Sequence, residues 1–458
     1  VARSLPQTLP WWPQSTHGDA PFLVDAAGVV DHRRVFEEAL ALRVDGSFAS
    51  VVSSRCDRRS IVEIVACWLR GSAALVLDER EPATLRASTE RLAAALPRSA
   101  WSAATVEERC AVVLRTSGSS GTPKFAVHRH ASLVANALAS ARRTPFGPGH
   151  RWLLSLSPHH IGGLSIIVRA MVGGAAVRLG RGPGGVLDDL RDDADVTHVS
   201  LVATQLRRLL ASEDRGAVDR RMRSLAAILV GGGPIPAALR SEAIDRGWPV
   251  FATYGLTEAA SQVSIGPLRR GAPADDAGRP LDGVKVAIDA TGEIVVRGPT
   301  VFAGYLRETT PGSAAIERPA GGVLRTGDRG RIESDGSLCV EGRLDSMFIS
   351  GGENIQPEEI ESVLRDVPGI EQACVVAIDD PEWQRRPIAF VAGSFAVRDL
   401  LRVLDARLPR FKWPDRIHPM PRDDAERAKP RRGELAAAAR RGDVAEPLWT
   451  RPQRSEPT

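Results

Sequence analysis

The chain has 458 residues, with 60 Lys and Arg against 56 Asp and Glu, a net charge of +4 and 43% hydrophobic residues. That length accommodates two or three domains with a large core, and the ordinary apolar and charged fractions exclude disorder as the default. Charge this balanced argues against a nucleic-acid binder, the absence of a run of about eighteen apolar residues argues against a membrane span, and five scattered cysteines without a C-x-x-C pair argue against a disulfide framework or a structural zinc site.

The Pro/Trp-rich start over 1–14 has no signal-peptide core, so a soluble, cytoplasmic protein with reduced thiols is expected. A homodimer is one assembly left open.

In chain order, residues 35–42 have helical spacing, 48–53 read as a strand, 60–69 as a helix with Ile61, Ile64 and Val65 on one side, and 73–77 as a second strand. This strand-helix-strand unit opens an α/β domain. An Ala/Leu helix over 83–96 follows, and then Val112, Val113 and Leu114 form a short buried strand. That strand feeds into Thr116, Ser117, Gly118, Ser119, Ser120, Gly121, Thr122, Pro123 and Lys124. Gly118 and Gly121 let backbone N–H groups turn inward, the Ser and Thr hydroxyls add donors, and Lys124 adds a positive charge. The loop therefore has the chemistry of a phosphate cradle, with a solvated Ser/Gly linker as the alternative. It lacks the Gly-Lys-Ser/Thr ending of the common P-loop.

A helix is expected over 131–142, then a strand over 152–156 running into Pro158, His159, His160, Ile161, Gly162 and Gly163. A helix (164–172), strands (175–179 and 196–200), a helix (203–212) and a strand (226–230) continue the alternation, which favours parallel sheets with ligand sites at strand carboxyl ends. Gly231, Gly232 and Gly233, and the run from Tyr254 through Gly255 and Thr257 to Glu258, stand where that rule places them. From residue 284 short strands (284–288, 293–297 and 338–341) and the Asp335-Gly336 hairpin signal predict a β-rich subdomain over about 278–342. A last unit holds a helix after Pro357 (358–364), strands at 373–378 and 388–391 and a helix at 397–408, and residues 441–458 read as a flexible tail.

Five motifs fall into one order: TSGSSGTPK at 116–124, YGLTE at 254–258, GEIVVRGPTVFAGYL at 292–306, RTGDRG at 325–330 and GRLDSMFISGGENIQPEEIE at 342–361. Together they resemble the adenylate-forming superfamily of acyl-CoA synthetases, luciferases and peptide-synthetase adenylation domains. WLLSLSPHHIGGLSI at 152–166, HVSLVATQLRRLL at 198–210, YGLTEAAS at 254–261 and SGGENIQPEEIE at 350–361 are similar to the o-succinylbenzoate-CoA ligases of menaquinone biosynthesis within it.

The resemblance implies an α/β fold with a large N-terminal domain of layered sheets over 1–342, including the β-rich subdomain. A small mobile α+β C-terminal domain follows over 343–440, hinged at Asp345. It implies an ATP-dependent, AMP-forming ligase that adenylates a carboxylate and passes the acyl group to CoA, with Mg2+ as cofactor.

Residue by residue, Thr116 to Lys124 match the β- and γ-phosphate loop, and Glu258 the carboxylate that holds Mg2+. Gly231, Gly232, Gly233, Tyr254, Gly255 and Thr257 match the adenine and nucleotide surround. Asp328 matches the acid on the ribose hydroxyls, and Arg343 a nucleotide contact. Lys429 is the candidate catalytic lysine, because Ala428-Lys429-Pro430-Arg431-Arg432-Gly433-Glu434-Leu435 keeps the G-K-x-x-R-x-x-L spacing with Ala in place of Gly. Lys412 and Arg427 are its rivals, and a basic surface run is the alternative reading. His160 and Gly255 match acid-pocket positions, and Arg169 matches an arginine associated with a second carboxylate of the acid. On its apolar segment Arg169 needs an anionic partner, and a dicarboxylate or a protein carboxylate would serve equally. Phe125 departs from the Gly or Ala usual after the Pro-Lys.

A CoA ligase for another aryl or fatty acid, and a non-catalytic nucleotide binder, remain alternative functions. An amino-acid adenylation domain is disfavoured because residues 158–163 hold no acid.

Overall fold

The run Ala73–Leu77 and the first five residues of Cys110–Thr116 are apolar and buried on both faces, and the two form adjacent parallel strands. They lie in a computed structural model that describes residues 17–43, 49–53, 55–79, 83–95, 105–116, 124–344 (without 183, 234, 236, 274, 311 and 312), 348–425 (without 356 and 366) and 432–451, with 9 and 12. The chain divides into two compact units, a larger one running to Leu344 and a smaller one made mainly of residues 345–458.

In the larger unit, a six-stranded sheet has the order Ser313–Glu317, Gly304–Thr310, Lys124–Arg129, Cys110–Thr116, Ala73–Leu77, Ala49–Ser53. The helix Arg58–Leu69 packs beside it. Asp57 caps that helix by accepting from the Ser60 N–H, and Trp68 Nε1 donates to the Ala111 carbonyl at 2.7 Å, which ties the helix to the neighbouring strand. A nine-stranded sheet runs Arg279–Pro280, Ser261–Pro267, Val250–Leu256, Ala227–Gly231, His198–Val202, Arg151–Leu154, Ala176–Leu179, Pro21–Asp25, Gly28–Asp31. Its centre is parallel, as the strand-helix alternation predicts.

The helix Ile161–Gly173 is buried on nearly every side and ends at Gly174 in the left-handed conformation. A helix without a polar face belongs in a core, and this one carries Arg169 into it.

The expected β-rich stretch is divided. Lys285–Ile288, Glu293–Arg297, Leu324–Ile332 and Leu338–Arg343 form a four-stranded antiparallel sheet, whereas Gly304–Thr310 and Ser313–Glu317 belong to the six-stranded sheet. The register Gly304↔Val127, Tyr305↔Ala126 and Leu306↔Phe125 makes that join, and Ala303, Leu306 and Ala314 share one apolar cluster with Phe125 and Val127. Local hairpin spacing carries no information about this long-range destination.

The smaller unit has a four-stranded sheet, Ile370–Asp380, Gln384–Gly393, Arg416–Pro419 and Trp449–Thr450. Strand alternation sorts its faces: Val375, Ala389 and Val391 pack with Ile360, Leu364, Leu400 and Leu404, while Cys374, Val376, Ile388 and Phe390 pack with Leu435, Ala436 and Ala439. The last group lies on Arg432–Arg441, a helix the basic sequence around it hid.

Within the expected tail over 441–458, the described residues as far as Arg451 include a strand that pairs with the smaller unit's sheet. Trp449 pairs with Ile417, the Leu448 and Arg451 N–H groups donate to the Ile417 and Asp415 carbonyls at 2.7 and 2.8 Å, and the Trp449 ring lies 6.1 Å from that of Trp413. A half-buried aromatic and strand pairing hold the chain through Arg451.

Candidate functional site

In the larger unit the candidate residues meet where strands end. Ala227–Gly231 ends at Gly231, where a Cβ would lie 2.8 Å from Thr253 Cγ2, and Gly232 continues at φ +76°. The neighbouring strand Val250–Leu256 brings Tyr254 and Gly255, then a single turn Thr257–Ala259 carries Glu258. A bulge between Tyr254 and Gly255 lets the chain fold back so closely that a Cβ on Gly255 would sit 1.6 Å from the Ser261 carbonyl. Only glycine fits there.

Two carboxylates meet two tyrosines. Tyr254 donates its hydroxyl to Asp328 Oδ2 at 2.7 Å across 74 positions of sequence, and Tyr305 donates to Glu258 Oε1 at 2.6 Å across 47. These are the only two tyrosines of the chain. Asp328 is buried on the strand Leu324–Ile332, and its N–H donates to Thr326 Oγ1, which in turn donates to the Ile294 carbonyl. The backbone of Arg343 pairs opposite Asp328.

The Glu258 turn is held from its other side. His128 is buried, which pushes its pKa down to about 4 and keeps the ring neutral at pH 7. Its Nε2 lies 2.6 Å from the Thr257 carbonyl, which can only accept, so the proton sits on Nε2. Asn136 Nδ2 donates to the carbonyls of Ala259 (3.3 Å) and Gln262 (2.7 Å), on either side of Ala260 (φ +56°) and Ser261 (φ +101°). The Phe302 N–H donates to the Glu258 carbonyl at 2.9 Å.

Arg169 is 5% exposed. Its Nη2 donates to Asn136 Oδ1 at 3.4 Å and its guanidinium lies 5.3 Å from the Trp152 ring centroid. Its Nε has no partner, and no carboxylate among the described residues pairs with it. Burial alone pulls its pKa down to about 9, so it stays a cation at neutral pH. Nearby His198 is lowered to about 4, first by burial, and supplies no negative charge. The choice left open by sequence between a protein carboxylate and a ligand anion narrows accordingly. Ser165, on the same helix, approaches Ser261 Oγ at 3.4 Å.

The structure therefore brings together Gly231, Gly232, Gly233, Tyr254, Gly255, Thr257, Glu258, Asp328 and the backbone of Arg343 within one unit. Thr116 ends its strand and Lys124 opens the next. His160 is exposed at the start of the helix that carries Arg169. His159, which sequence gave no place, bonds Ser157 Oγ through Nδ1 at 2.7 Å and sets Nε2 3.5 Å from Asp78. Ser117, Gly118, Ser119, Ser120, Gly121, Thr122, Asp345 and Lys429 lie outside the described residues. In the smaller unit the rival Lys412 is buried and donates to Glu359 at 2.6 Å.

Sequence reasoning missed Tyr305, Asn136 and His128. The scarcity of tyrosine was the available signal for Tyr305. Nothing local marks Asn136, whose two acceptor carbonyls lie more than 120 positions away.

Comparison with known proteins gives a consistent result. Residues 24–306 match the AMP-binding enzyme family and residues 359–428 the AMP-binding enzyme C-terminal domain. The 2-succinylbenzoate-CoA ligase of Bacillus pumilus is 34% identical over 322 residues, covering 67% of this chain and 64% of the relative. That of Salmonella typhimurium is 38% identical over 325 residues, covering 70% and 67%. These alignments thus span about two thirds of the relatives' lengths. A double mutant of the o-succinylbenzoate CoA synthetase from Bacillus subtilis, bound with its product analogue OSB-NCoA, superposes with a TM-score of 0.77 at 25% identity, over 92% of this chain and 96% of that one.

Proposed function

Because the chain belongs to the AMP-binding enzyme family, we propose that it is an AMP-forming acid-thiol ligase that converts 2-succinylbenzoate, ATP and CoA to 2-succinylbenzoyl-CoA, AMP and pyrophosphate. In the first half-reaction a carboxylate oxygen attacks the α-phosphorus and pyrophosphate leaves with the broken bond's electrons. In the second the CoA thiolate attacks the acyl carbon and AMP leaves.

The chemistry asks for charge balance at the phosphates, alignment of reactants and exclusion of water from the acyl-adenylate. Asp328, oriented by Tyr254, presents carboxylate oxygens to the ribose hydroxyls, and Gly231 to Gly233 with Tyr254 and Gly255 offer a side-chain-poor wall to the adenine. Glu258 would hold Mg2+, since a carboxylate fixed by a tyrosine hydroxyl is a hard oxygen donor suited to that ion, which supplies charge neutralisation at the phosphates when bound. Thr116 to Lys124 would embrace the outer phosphates, and Lys429 would bridge carboxylate and α-phosphate.

The observation that carries the choice of acid is Arg169. A buried cation that no carboxylate among the described residues pairs with suits an anionic ligand group, and 2-succinylbenzoate has a second carboxylate to offer it. Pyrophosphate release over a panel of aryl and fatty acids tests the assignment. Turnover highest for 2-succinylbenzoate is expected, and no turnover with that acid while another is consumed would overturn it.

Tyr305→Phe tests the Glu258 role. Hydrogen bonds to charged groups contribute about 1.5–3 kcal/mol, so roughly a ten- to hundredfold fall in kcat/KM is expected. It should come with a raised half-saturating Mg2+ concentration and an unchanged KM for the acid. A Mg2+ dependence identical to wild type would separate Tyr305 from the metal carboxylate.

A further inference from the structure

We propose that Asn136 is a positioning residue that couples the arginine of the acid pocket to the turn carrying Glu258, so that one side chain sets both. The inference rests on the reading of Arg169 as the acid's anchor. Asn136 is 1% exposed on the helix His130–Arg143, and its amide is used from both ends. The Nδ2 group donates to the carbonyls of Ala259 and Gln262, and Oδ1 accepts from Arg169.

The two carbonyls it holds flank Ala260 and Ser261, non-glycine residues at φ +56° and +101°. Such a conformation is strained for a residue with a side chain and persists only when its surroundings enforce it. Ala260 follows Glu258 by two residues, so the hydrogen bonds that enforce the turn also aim the carboxylate. His128 secures Thr257 just before Glu258, but its two ring nitrogens face the Thr257 carbonyl and Ser132 Oγ, whereas Asn136 bonds both Arg169 and the turn.

On the arginine side, Nε has no partner, and the Asn136 oxygen and the Trp152 face are what orient the guanidinium. Rotating Arg169 away would free Oδ1 and relax the aim of the amide on the turn without breaking its two donor bonds. An Asn offers this combination of two donors and an acceptor, whereas Asp offers acceptors only and Leu neither.

The test is a double-mutant cycle on the full chain with Asn136→Leu, Arg169→Lys and the pair, read as acid KM, kcat and half-saturating Mg2+, with melting curves to verify folding. Asn136→Leu should raise the acid KM about tenfold and the Mg2+ requirement severalfold, while in the Arg169→Lys background its effect on the acid KM should shrink to about twofold. Asn136→Asp should raise the acid KM further, because its carboxylate pairs with Arg169 and repels the two carbonyls. If Asn136→Leu does not fold, Asn136→Ser carries the same expectations.

Effects of Asn136 and Arg169 substitutions that multiply independently would overturn the coupling, and so would a loss in kcat with unmoved acid KM and Mg2+ dependence. Should wild type consume a different acid, the acid assignment falls and the same cycle is read on that acid.

Discussion

Replacing Arg169 with Met should lower kcat/KM for 2-succinylbenzoate by about a hundredfold or more and, in the same protein, raise the melting temperature without ligand. The first effect follows from removing one partner of a buried charge pair, which costs roughly 2–5 kcal/mol where each 1.36 kcal/mol is a factor of ten. The second follows from the unliganded state. There the guanidinium is buried, its Nε has no partner, and its remaining contacts are a 3.4 Å bond to Asn136 and the face of Trp152. Exchanging a poorly compensated buried ion for an apolar chain of similar length stabilises a fold by about 1–4 kcal/mol. A domain of 150–250 residues shifts by roughly 2–4 °C per kcal/mol and a larger protein by less, so a rise of a few degrees is expected. The Asn136 oxygen left behind lost only a long bond and does not reverse the sign. Kinetics with ATP at saturation and a thermal scan of the unliganded protein measure both. A lower melting temperature, or an unchanged KM for the acid, contradicts the role of Arg169 as an anion site.

Lys429→Ala should lower formation of the acyl-adenylate by about two to three orders of magnitude, the scale of losing one transition-state donor. Thioester formation from supplied acyl-adenylate and CoA should remain within a few fold of wild type. The split follows from where charge develops: only the first half-reaction builds negative charge between the entering carboxylate and the α-phosphate. Arg432, three residues on in sequence, pairs with Glu361 at 2.9 Å and donates to the Val375 carbonyl at 3.1 Å within the smaller unit. Lys412 is a poor substitute because its ammonium is engaged with Glu359 in the interior. Single-turnover assays of each half-reaction decide the matter, and a variant in which both survive shows that Lys429 is misassigned.

The sequence was most legible where physics is local. Buried strands such as Ala73–Leu77 show as unbroken apolar runs, and the helix Arg58–Leu69 announces itself through its spacing of Ile61, Ile64 and Val65. It was least legible where one segment chooses between distant partners. Gly304–Thr310 reads as part of a meander yet pairs with Lys124–Arg129, and Trp449 looks like tail residue until Ile417 and Trp413 are placed beside it. The same division holds in the site. Asp328, Glu258 and Arg169 stood out because their chemistry is rare on apolar segments or lies in motifs, whereas Asn136 is an ordinary helix residue whose meaning lies in three contacts made across the fold.

The most direct measurement withholds CoA. Incubation of the protein with 2-succinylbenzoate, ATP and Mg2+, followed by mass spectrometry, should reveal the mixed anhydride 2-succinylbenzoyl-AMP with pyrophosphate in equal amount, and adding CoA should convert it to the thioester and AMP. Absence of the anhydride, with ATP bound but unconsumed, would contradict the assignment of this chain as a ligase for that acid.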